Sequence, residues 1–86
     1  MLVGKVVGNI VATRKNEKLI GNKFLVVEPV YDTANNEKFV AIDNVGAGIG
    51  ETVLVALGSA ARIGCDACDA PVDAAIVGIV DDASGL

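Results

Sequence analysis

Histidine is absent from this 86-residue chain, and aromatic side chains are scarce: Phe24, Tyr31 and Phe39 are the whole set, 3% of the residues. Without histidine the chain lacks the usual general base of neutral pH, and serine is limited to Ser59 and Ser84 with no base at a useful spacing. General acid–base and nucleophilic catalysis are therefore disfavoured, and the chain reads as a non-enzyme. Two cysteines, Cys65 and Cys68, cannot build the disulfide framework of a small secreted domain. No apolar run approaches the roughly 20 residues needed to span a bilayer. The opening MLVGKVVG lacks the charged, apolar and small-residue regions of a secretory signal. There is no basic stripe with interleaved aromatics, and the net charge is −4, so nucleic acid is disfavoured as a partner. These absences predict a soluble cytoplasmic protein that binds neither membrane nor nucleic acid.

What is present is aliphatic. Hydrophobic residues make up 52% of the chain, with Val, Ile, Leu and Ala supplying nearly all of it, a composition that favours strands. At this length the chain is a single domain, residues 1–86, and it buries only about 60–65% of its unfolded surface. Domains this small often need extra support, and with no disulfide framework available the expected support is oligomerisation.

The hydrophobic periodicity places five strands. From Leu2 to Thr13 the chain alternates with period two, one face carrying Leu2, Gly4, Val6, Gly8, Ile10 and Ala12. Glycines on that face predict sharp coiling or close backbone approach, as in a small barrel. Further strands are expected at Phe24 to Val30, Lys38 to Asp43, Thr52 to Leu57 and Val72 to Val80. Arg14 to Asn22 and Tyr31 to Glu37 read as polar connections. Gly58 to Gly64 offers a single helical turn, Ser59-Ala60-Ala61-Arg62. Five short strands with one helical turn before the last predict an all-β fold, a small five-stranded OB-like β-barrel. The strands TVLVAL and AAIVGIV are apolar on both faces. One face meets the core, so the other also needs cover, and a neighbouring subunit is the expected source.

Three features invite chemistry. Gly46, Ala47, Gly48, Ile49, Gly50 and Glu51 form a G-x-G-x-G loop. A dinucleotide fingerprint needs G-x-G-x-x-G before a helix, and a P-loop needs Lys-Ser/Thr, whereas here Glu51-Thr52 and a strand follow. The loop reads instead as a tight connection using glycines for positive φ. Cys65 and Cys68 form a lone C-x-x-C, which is half a zinc site at most, with Asp66 or Asp69 as possible extensions. Two reduced surface cysteines are the plain reading; metal binding or a disulfide are the alternatives, and no cofactor is assigned. Asp43, Glu51 and Asp73 stand near strand ends, where carboxylates cap turns or pair with Arg62 or Lys38.

Three blocks carry a family resemblance. They are DNVGAGIGETV, with Asp43, Val45, Gly46, Ala47, Gly48, Gly50, Glu51 and Val53; Gly58-Ser59-Ala60-Ala61-Arg62; and Pro71-Val72-Asp73-Ala74-Ala75 with Gly78 and Asp81. In that order and spacing they resemble the EutN/CcmL family, whose members occupy the vertices of bacterial microcompartment shells. The resemblance implies an OB-like barrel assembled as a homopentamer, with a ring of six also considered, packed against hexameric shell proteins. It implies that Gly46 to Glu51 edge a small opening on the symmetry axis, and that Ser59, Arg62, Pro71, Val72 and Asp73 lie at or near subunit contacts. The family's role is geometric: six-sided tiles pack flat, and closure of a polyhedral shell requires five-sided units at its vertices. The segment GCDACDA, Gly64 to Ala70, departs from the family's usual short linker, and around a ring its cysteine pair would recur in every subunit. Two other classes remain open to the sequence: an OB-like binding module outside any shell, and a metal or redox accessory subunit using the C-x-x-C.

Overall fold

In the computed structural model, residues 1–11, 23–30, 37–58, 61 and 72–81 are described. They form five strands: β1 (Leu2–Ile10), β2 (Lys23–Pro29), β3 (Phe39–Asp43), β4 (Thr52–Leu57) and β5 (Ala74–Ile79). The strands close into a barrel in the order β1-β2-β3-β5-β4, the wrapped order of an OB-type barrel. Every pairing is antiparallel except β3 with β5, where Ile42 faces Ala75 and Asp43 faces Ile76.

Closure depends on the length of β1. Leu2 to Lys5 pair with β4, while Gly4 to Ile10 pair with β2. One strand thus spans the seam and leaves no free edge. Gly4 makes this possible, because a Cβ there would overlap Val27 Cγ1 and crowd the Glu28 carbonyl.

The predicted alternation of β1 holds only as far as Val6. Between Val6 and Gly8 the register shifts, Val6 facing Val27 but Gly8 facing Val26. Val7 is therefore a bulged residue, and such a bulge bends and further twists a strand. Its effect is to exchange faces. Val6 points into the core, whereas Gly8 and Ile10 stand beside the outward-facing Val26 and Phe24, and Ile10 is 40% exposed. A second shift, at Leu54/Val55, bulges Val77 in β5.

The interior is filled by short aliphatic side chains. Val6, Leu25, Val27, Ala41, Ala47, Val53, Val55, Ala74 and Ile76 form the main core, with Leu2 and Phe39 packed at its margin. Fully burying a valine, leucine or isoleucine contributes about 1.5–3 kcal/mol. A second cluster lies outside the wall, where Ile42 and Ala75 meet Ala61 and Val72, with Phe24 against them. This corrects part of the sequence reading: at Ile42 of β3 and Ala75 of β5 the chain covers the outer face itself, with Ala61 and Val72 of its β4–β5 connection. The helical turn expected at Ser59 to Arg62 lies outside the described residues apart from Ala61, whose N–H donates to the Gly58 carbonyl at 3.1 Å.

Candidate functional site

The glycine loop between β3 and β4 is built on the buried carboxylate of Asp43, 4% exposed. Its Oδ1 accepts the Val45 N–H at 3.0 Å, an Asx turn, and its Oδ2 accepts the Ala47 N–H at 2.9 Å. Gly46 takes φ 90° between them, a conformation that favours glycine. The turn drives the Ala47 methyl into the barrel, where it joins the main core at 0% exposure. Lys23, at the start of β2, then donates from Nζ to the Ala47 carbonyl at 2.9 Å.

The second half of the loop is tied as firmly. The Gly48 N–H donates to Glu51 Oε1 at 2.6 Å, and the Glu51 N–H returns to the Gly48 carbonyl at 3.1 Å. Gly50, at φ 92°, donates to the Val6 carbonyl at 2.8 Å, and the Val6 N–H donates to the Glu51 carbonyl at 2.9 Å. The loop is thus fixed to β1, β2 and β3 together. Two apolar side chains are left projecting from it, Val45 at 42% and Ile49 at 64% exposure.

Both Asp43 oxygens and Glu51 Oε1 accept backbone N–H groups, which is the turn-capping role expected of strand-end carboxylates. No group of three potential metal ligands exists among the described residues.

Of the six loop residues singled out from sequence, Gly46, Ile49 and Gly50 are exposed, Gly48 and Glu51 are half-buried and Ala47 faces the interior. Of the expected contact residues, Val72 is packed in the second cluster at 6% exposure. Asp73 is exposed, its carbonyl accepting the Gly58 N–H at 2.8 Å. Ser59, Arg62, Pro71, Cys65 and Cys68 lie outside the described residues. Sequence reasoning missed Lys23, since nothing in its local sequence points to a carbonyl 24 residues away. It also missed that Ala47 plugs the barrel, although Asp43 followed by a glycine-rich turn was the signal for the cap that places it.

The outer wall completes the site. On β1, β2 and the approach to β3 a charged row runs outward, Lys5 facing Glu28 and Glu28 lying 4.0 Å from Lys38 Nζ. This pair is exposed and worth about 0–1 kcal/mol. Beside the row, Val7 and Val40 are 38% and 45% exposed.

A closed five-stranded barrel of the OB type, with a hydrogen-bonded glycine loop and aliphatic side chains exposed on its outer wall, defines the class of small β-barrel protein. Comparison with known proteins supplies the family. The family described as "Ethanolamine utilisation protein EutN/carboxysome" matches residues 1–81, and this chain belongs to it. It is 46% identical over 83 residues to the bacterial microcompartment shell vertex protein GrpN of Rhodospirillum rubrum, covering 94% of this chain and 93% of that one. The solved structure of the GrpN pentameric microcompartment shell protein from Rhodospirillum rubrum superposes with a TM-score of 0.86 at 43% identity, over 100% of both chains. The structure of Gloeobacter violaceus CcmL gives a TM-score of 0.88 at 38% identity, over 98% of this chain and 89% of that one.

Proposed function

We propose that this chain is a vertex subunit of a bacterial microcompartment shell, a structural and non-catalytic protein that acts as a homopentamer in the cytoplasm. The observation that carries the reading is the end-to-end match, over 100% of both chains, to a protein described as a pentameric shell protein. The physical logic agrees with it. A barrel with no free strand edge cannot join its neighbours by adding strands, so assembly must use its walls and loops. A closed ring requires head-to-tail contacts between two different surfaces of each subunit. Five such subunits make a five-sided unit, and packing its sides against hexameric shell tiles introduces the curvature that flat layers of tiles lack.

Within the ring, Gly46 to Glu51 edge the opening on the axis, and Ser59, Arg62, Pro71, Val72 and Asp73 belong to segments at or near subunit contacts. The rigidity of the loop supports the first assignment, because an axial opening keeps its shape only if its rim does. The exposure of Asp73, beside the connection that packs on the outer wall, supports the second. A separate binding module is less well supported: the aromatic side chains among the described residues, Phe24 and Phe39, both pack against apolar clusters.

Native mass spectrometry of the purified chain tests the proposal. A five-subunit mass is expected. A stable monomer would overturn the vertex reading, and a six-subunit mass would keep the ring but remove the five-fold geometry the vertex role requires.

A further inference from the structure

We draw no further inference here: the strongest candidate, the cysteine pair Cys65 and Cys68 in the connection between β4 and β5, lies outside the described residues and by itself supplies half of a zinc site at most.

Discussion

Replacing Asp43 by alanine isolates the device that shapes the glycine loop. The carboxylate is 4% exposed and accepts two backbone N–H groups, from Val45 at 3.0 Å and from Ala47 at 2.9 Å. The two bonds are unequal in what their loss leaves behind. Val45 is 42% exposed, so its N–H can turn to water and the net loss there is about 0.5–1.5 kcal/mol. Ala47 is buried, and an N–H stranded there costs about 1–3 kcal/mol. Together these give a destabilisation of about 2–4 kcal/mol, against a total of roughly 4–13 kcal/mol for a domain of this length. A loss of that size lowers the melting temperature of a small domain by on the order of 15 °C. Thermal melts of wild type and Asp43→Ala should be compared at matched protomer concentrations, because assembly adds stability by mass action. Asp43→Asn, which keeps one acceptor oxygen, should fall between them. A fall of less than about 5 °C for Asp43→Ala would refute the argument, since it would mean that the carboxylate contributes less than about 1 kcal/mol and the loop is held by other contacts.

Gly4→Ala should destabilise the barrel by about 1–3 kcal/mol through overpacking against Val27, whereas Gly8→Ala should melt no lower than wild type; equal melting temperatures for the two would remove the distinction drawn between inner and outer glycines. Lys23→Met keeps the length of the side chain but removes the donor to the Ala47 carbonyl, and a loss of about 0.5–1.5 kcal/mol in urea unfolding is expected, with no loss counting against a role for Nζ in holding the loop.

The amino-acid sequence by itself settled the class of fold. The aliphatic composition, the period-two alternation of Leu2 to Val6 and the glycine punctuation at 46, 50 and 58 are local signals, and they act locally in the folded chain. The bounds of β4 were legible to the residue because turn residues flank an apolar run on both sides. The carboxylate cap was legible in kind, since Asp43 reaches only two and four residues along the chain. The three motif blocks likewise indicated the family, a matter of order and spacing alone.

The tertiary structure decided what depends on contact between distant residues. A bulge leaves no trace in an alternating pattern until the partner strand fixes the register, so the turn of Ile10 away from the core became visible only with β2 in place. The same holds for Lys23 and Ala47, brought together by the pairing of β2 with β3. The cover that the β4–β5 connection gives to Ile42 and Ala75 could not be read from two apolar strand faces, because hydrophobicity records that a surface is buried and not what buries it. Gly4 and Gly8 are four residues apart and identical in sequence context to any local rule. One is bare because Val27 stands against it inside the barrel, and the other faces outward with room to spare.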